Sequence, residues 1–223
     1  MPICRLISLL LALSLIAGDA AAGAWPREAG RSFVAGALRF GWPQDPDGRS
    51  LRDPTQGYHT LYMEYGLTPD WTIGLDLGQS MTGERKMLVW AQYPLRNLQS
   101  YPKVTAQLAY GTIAEEAILR PGLSLGWGSE GGWFTIDSMA EIEIDGGATD
   151  YKMDITLGRN LSRGRKLILQ MQTGAPDGGD PFARFVPSLV FPVTDMLKIE
   201  AGMSYGLQGD EAMGIKLGFW AEF

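Results

Sequence analysis

The sequence predicts an all-β chain: a transmembrane antiparallel up-and-down β-barrel of about twelve strands behind a cleaved signal peptide. Three observations carry this. Apolar and polar residues alternate with a period of two through successive short segments, the N-terminus is organised as a leader, and aromatic residues gather at the ends of the alternating segments. The division that follows is residues 1–24 as signal peptide and 25–223 as barrel.

The leader comes first. Arg5 supplies a positive start, and 6–17 is an apolar run too short for a membrane-spanning helix. Ala20-Ala21-Ala22 and Ala22-Gly23-Ala24 both fit a small-x-small cleavage rule, so cleavage is expected after Ala22 or Ala24. The one cysteine, Cys4, lies inside the leader. The mature chain therefore offers no disulfide, thiolate nucleophile or cysteine metal site. The net charge is −6 without a basic stripe, so nucleic acid is not an expected partner. The 29 glycines, with 7 Trp, 8 Tyr and 8 Phe, suit many short strands joined by tight turns.

Twelve segments have the length of a tilted membrane strand, about ten residues. They are 31–42, 57–67, 71–78, 86–93, 103–111, 117–127, 133–144, 151–158, 166–173, 182–191, 197–205 and 213–223. The first has an undecided register, because Phe33, Ala35 and Ala37 are as apolar as Val34, Gly36 and Leu38. The Pro-, Asp- and Gly-rich stretch 43–56 reads as the longest loop. The cleanest hairpin sets Leu61, Met63 and Tyr65 beside Ile73, Leu75 and Leu77 on one face, with Glu64, Gly74 and Asp76 on the other. In the closing strand Met213, Ile215, Leu217, Phe219, Ala221 and Phe223 alternate with Gly214, Lys216, Gly218, Trp220 and Glu222. An even strand number returns the C-terminus to the side on which the chain started.

Such strands suit a soluble barrel with its apolar face inward, or a membrane barrel with that face outward. The polar face holds too much Gly, Ser and Thr, and too little Lys and Glu, for a fully wetted surface. Trp71, Tyr93, Tyr101, Trp127, Trp133, Phe191 and Phe223 are expected at one rim, and Trp42, Tyr58, Tyr151, Phe182 and Tyr205 at the other. Two aromatic belts fit two membrane interfaces. Pro121 and Pro187 run against the pattern, since each withholds a ladder hydrogen bond; bulges or water-facing strand ends are expected there.

A strand with one apolar and one polar face that ends on Phe223 resembles the closing strand of bacterial outer-membrane β-barrels. The resemblance implies a place in the cell outer membrane, contact with outer-membrane lipid, and a membrane-insertion signal in Phe219, Ala221 and Phe223 for the barrel-insertion machinery. The Tyr-Gly-Leu-Thr-Pro-Asp-Trp connection at 65–71 resembles, more narrowly, small barrels grouped with the phenol-degradation meta pathway.

The candidate functional residues are the charges of the polar face: Glu64, Asp76, Lys103, Arg120, Asp137, Glu141, Glu143, Lys152, Asp154, Lys166, Arg184, Lys198, Glu200 and Lys216. Inside a narrow barrel they are expected to pair, because isolated buried charge is costly. Lys216 is expected beside Glu200. The pairs either fill the lumen or line a polar path that selects a small solute. No catalytic set stands out: His59, the sole histidine, has no nucleophile tied to it by a motif. No cofactor is expected. Asp45, Asp47 and Asp53, or Asp177 and Asp180, match no established metal loop. The expected function is a small-solute channel or transporter-like barrel. A structural or interaction barrel with a plugged lumen, a soluble periplasmic barrel holding an apolar ligand, and an outer-membrane lipid hydrolase stay open as alternatives.

Overall fold

Period-two alternation needs a sheet that can sort two faces into two environments, and the chain achieves this by closing. The computed structural model describes residues 23–45, 53–97 and 99–223. The predicted leader lies outside the described residues except for Gly23 and Ala24, as does Asp47 of the first loop.

Twelve strands follow one another: β1 (Ser32–Pro43), β2 (Gln56–Gly66), β3 (Thr72–Ser80), β4 (Arg85–Pro94), β5 (Lys103–Ile113) and β6 (Glu116–Ser129). Then come β7 (Gly132–Glu143), β8 (Thr149–Asn160), β9 (Lys166–Ala175), β10 (Phe182–Pro192), β11 (Leu197–Gln208) and β12 (Ala212–Glu222). Each pairs antiparallel with its sequence neighbours, and β1 pairs with β12 to close the barrel. The twelve-strand, up-and-down expectation is borne out.

The seam is fully zipped, from Phe33 opposite Glu222 to Pro43 opposite Ala212. Beyond it, Ser32 N–H donates to Phe223 O at 3.1 Å and Phe223 N–H to Ser32 O at 3.0 Å. The terminal residue thus finishes the ladder. Closure removes the sheet edges, which a strand in lipid cannot leave unpaired.

Turn chemistry on the side of the chain termini repeats. Thr68 Oγ1 accepts from Trp71 N–H at 3.0 Å, and Thr194 Oγ1 from Leu197 N–H at 3.0 Å. Each hydroxyl satisfies an amide at the start of the next strand, as short turns require. We call this end the terminal rim.

The alternation decides which residues meet which environment. Val89, Leu217 and Met203 are 53%, 49% and 63% exposed, whereas Glu200 and Arg120 are 3% and 5% exposed. The apolar side therefore faces out and the charges face in, opposite to a soluble ligand-binding barrel. Replacing Val89, mid-strand in β4, by arginine is expected to cost about 2–4 kcal/mol, the penalty for a cation at the bilayer midplane. Urea unfolding in lipid vesicles measures it; an unchanged midpoint would mean that this wall meets water.

Several expectations need correction. Pro121 and Pro187 are neither at bulges nor at strand ends. Both keep their pairing on one side, with Leu108 and Leu169, and interrupt it on the other. The β6–β7 ladder skips Arg120 and Pro121 without a register shift, and the β10–β11 ladder skips Val186 and Pro187 likewise. A single missing N–H is thus absorbed as a local gap; the one bulge of β10 lies at Ala183/Arg184. Three predicted belt aromatics lie on the inner face. Trp133 is buried against Gly158, the Tyr58 hydroxyl rests on Gly78, and the Phe182 ring rests on Gly174. Each shares strand parity with lumen residues, which overrides the general preference of aromatic rings for the interfaces. The outward belt at the terminal rim includes the ring pairs Trp71–Tyr93, centroids 4.9 Å apart, and Trp127–Phe134, 5.6 Å apart.

Candidate functional site

Inward-pointing side chains of a barrel this size share a narrow space, so their chemistry is collective. Asp76 on β3 is the first hub. Its Oδ1 lies 2.7 Å from Lys86 Nζ and its Oδ2 2.8 Å from Arg120 Nη1. Arg120 Nη1 reaches Glu141 Oε1 at 3.6 Å, and Glu141 Oε2 accepts from Lys152 Nζ at 2.5 Å. Five charges from β3, β4, β6, β7 and β8 thereby form one alternating chain. Alternation of sign lets charges with little exposure coexist.

A second hub sits on the facing wall. Glu200 Oε1 accepts from Lys216 Nζ and from Ser188 Oγ, both at 2.7 Å, while its Oε2 accepts from Trp220 Nε1 at 3.0 Å. Asp137 and Asp154 are brought directly opposite each other across β7 and β8. Asp154 has Gln170 Nε2 at 3.5 Å, and neither acid has an ion pair among the described residues.

The other predicted charges are dispersed. Glu64 pairs with Arg27 rather than with a strand cation. Lys198 pairs with Glu222 at 3.0 Å and Arg184 with Asp210 at 2.5 Å. Lys166 donates to Asn160 at 3.0 Å and lies 5.2 Å from the Trp133 ring centroid. Lys103 lies over the Tyr101 ring at the terminal rim. Glu143 ends β7 at the opposite rim, against Gly146. Of the C-terminal residues, Phe219 and Phe223 are exposed on the outer side, and Ala221 pairs with Val34 and Leu197. His59 is exposed on the outward face of β2, with no serine or carboxylate hydrogen-bonded to it among the described residues.

The terminal rim of the lumen is occupied by residues before β1, a feature without a sequence period. Ala24 is fully buried, and Trp25 packs beside Trp133, Ile168 and Val190. The Trp25 ring lies over Gly126 and Gly128 of β6, where any Cβ at Gly126 would collide with it. Thr105 Oγ1 donates to Gly23 O at 3.0 Å, and Arg27 N–H donates to Thr72 Oγ1 at 2.8 Å. Arg27 also lies 4.9 Å from the Phe33 ring centroid. Gly30 N–H closes the segment onto Gly66 O at 2.8 Å. The run of glycines on the inner parity of β6, at 122, 126 and 128, was the one signal in the sequence for this seat.

The opposite end of the lumen holds a cavity among the described residues. A cavity of about 350 Å³ is lined there by Arg39, Tyr58, Gln172, Arg184 and Lys216, with Gln56 and Thr55 above. Arg39 was missed because β1 shows no clear alternation. Pairing with Lys216 on β12 and Tyr58 on β2 fixes its inward direction. Arg184 and Lys216 have acid partners, but Arg39 has no ion pair among the described residues. Glu200 and Asp154 act on Arg39 from beyond ion-pair distance, so the vestibule gathers the cations Arg39, Arg184 and Lys216 over acids set deeper in the wall.

Solved structures share this architecture. The NanC porin superposes with a TM-score of 0.65 at 10% identity, over 83% of this chain and 98% of the porin. The KdgM porin gives a TM-score of 0.63 at 7% identity, over 85% and 99%. An outer membrane channel from Pseudomonas putida gives 0.62 at 10% identity, over 91% and 99%. At such identities the likeness is one of fold. No family model matches the chain, and no curated protein sequence matches it.

Proposed function

We propose that this chain is an outer-membrane channel for small solutes, with a preference for anions set at its outer vestibule. The carrying observation is the sorting of the wall. Twelve closed strands turn apolar residues outward and charges inward, and the inner face widens into a vestibule lined by Arg39, Arg184 and Lys216, of which Arg39 has no ion pair among the described residues. That combination suits a bilayer outside and water inside. The structural neighbours named as porins and an outer membrane channel support the reading. One of them, the KdgM porin, is described in complex with disordered oligogalacturonate.

Lipid around the wall and the insertion machinery as a partner during biogenesis belong to the same proposal, with Phe219, Ala221 and Phe223 as the recognised end. The narrower likeness of the 65–71 turn to phenol-pathway barrels would favour an aromatic solute. It rests on that turn alone, and the polar vestibule speaks for a charged one.

Arg39→Glu tests the selectivity. Reversing one charge at the mouth is expected to lower the chloride-to-potassium permeability ratio by roughly fivefold, about 1 kcal/mol across several ångströms of water. Reversal potentials under a salt gradient measure it. An unchanged ratio would remove Arg39 from the selective element.

A second reading keeps the lumen shut, with the exposed loops contacting partners. The residues seated at the terminal rim favour it. The two readings differ in whether ions pass, which conductance decides.

A further inference from the structure

We infer that export processing cuts the chain between Ala22 and Gly23, and that the α-ammonium group so created is held inside the barrel by Asp137, which lies opposite Asp154 across the sheet. The inference rests on the outer-membrane reading only in that the chain must be exported behind its leader.

Asp137 is the starting point. Its Oδ1 is buried and accepts no hydrogen bond. A buried carboxylate oxygen without a donor is costly, and a second carboxylate directly across the sheet adds repulsion. Neither acid has an ion pair among the described residues; Arg39, Lys152 and Lys216 act on Asp154 from farther away, and the two lysines are committed to Glu141 and Glu200. Asp137 has the hydroxyls of Ser124 and Thr135 beside it but, among the described residues, no cation.

Gly23 is in position to supply it. A Cβ placed on Gly23 would fall 2.0 Å from Asp137 Oδ1. Ordinary bond lengths therefore put Gly23 N within roughly 4.5 Å of that oxygen. Its φ of +84° and this contact together require glycine. The residue is held from its other side by Thr105, and Ala24 after it is fully buried. The segment is seated rather than draped.

In an uncut chain Gly23 N is a neutral amide with one donor. After cleavage behind Ala20-Ala21-Ala22 it becomes an α-amine, with an ordinary pKa of about 8, hence cationic at neutral pH with three donors. Cleavage after Ala24 would instead remove Gly23, strand Asp137 and deprive Thr105 of its acceptor. Of the two sites that the leader allows, only the first completes the interior. The segment then stays at the terminal rim by an ionic anchor at its end and by Arg27 on Glu64 further along.

The test uses the full chain, expressed with its leader and purified from outer membranes. Intact mass is expected to give a protein beginning at Gly23. A first residue of Ala24 or Trp25 overturns the inference and leaves export standing; an uncut chain overturns both. Acylation by an amine reagent near neutral pH then tests the anchor. The α-amine of the folded protein is expected to react about tenfold more slowly than that of urea-unfolded protein, as befits a group exposed only by local opening. Asp137→Asn is expected to remove most of that protection. Equal reactivity of folded and unfolded protein would overturn the anchor without recourse to any variant.

Discussion

Arg120→Ala is expected to destabilise the barrel by about 3 kcal/mol, at the lower edge of the range for breaking a buried ion pair. The guanidinium is 5% exposed and joins two carboxylates from separate parts of the wall, Asp76 on β3 and Glu141 on β7. Without it Asp76 keeps Lys86, and Glu141 keeps Lys152, so neither acid is wholly abandoned. What is lost is the link that lets the two half-networks neutralise each other. The β6–β7 ladder is already open at Arg120 and Pro121, so this side-chain link also spans the weakest point of the wall. The urea midpoint in detergent or lipid measures the loss. The double variant Arg120→Ala with Asp76→Asn should lose less than the sum of the single losses, because the two residues act as one unit. Strict additivity would mean that the chain of charges is only a row of separate contacts.

Removing residues 23–30, with Arg31 placed directly behind the leader, is expected to raise single-channel conductance by roughly an order of magnitude. Gly23, Trp25 and Arg27 occupy the terminal rim of the lumen, and the polar strand residues bonded to Gly23 and Arg27, namely Thr105, Thr72 and Glu64, would then face water. The barrel should remain closed, since no strand pairing depends on the segment apart from the single Ala29–Gly66 bridge. Chains of native and shortened length compared in the same bilayers give the result. Equal conductance would place the narrowest point elsewhere, among the charges of β3 to β8.

How much of this was legible in the sequence follows from what period-two patterns encode. Strands β3, β8 and β11 were readable because each sets bulky apolar residues against polar or small ones, as in Leu197-to-Tyr205 beside Lys198-to-Ser204, and β2 and β12 because only their tyrosines and Trp220 break that alternation. Strand β1 was readable in extent but not in face: Ala35 and Ala37 inside are no more polar than Val34 and Leu38 outside. Arg39 was lost with that register, and with it the cavity it lines. For Tyr58, Trp133 and Phe182 the parity was available, since Tyr58 lies in step with Glu64 and Trp133 with Asp137. Treating every strand-end aromatic as interfacial hid it. Pairing across neighbouring strands, such as Lys216 with Glu200 at 2.7 Å, follows from register. Contacts across the lumen, such as Asp76 with Arg120, depend on closure and leave no local trace. The segment at the terminal rim is the extreme case: its seat is assembled from β2, β3, β5, β6, β7, β9 and β10, and nothing between Gly23 and Gly30 announces it.

The most direct test of the central claim is conductance of the purified, detergent-extracted protein in a planar bilayer. A water-filled path through the charged lumen predicts discrete, salt-dependent steps that grow when residues 23–30 are removed and whose anion preference falls in Arg39→Glu. A barrel that inserts, yet passes no ions in either the native or the shortened form, would contradict it.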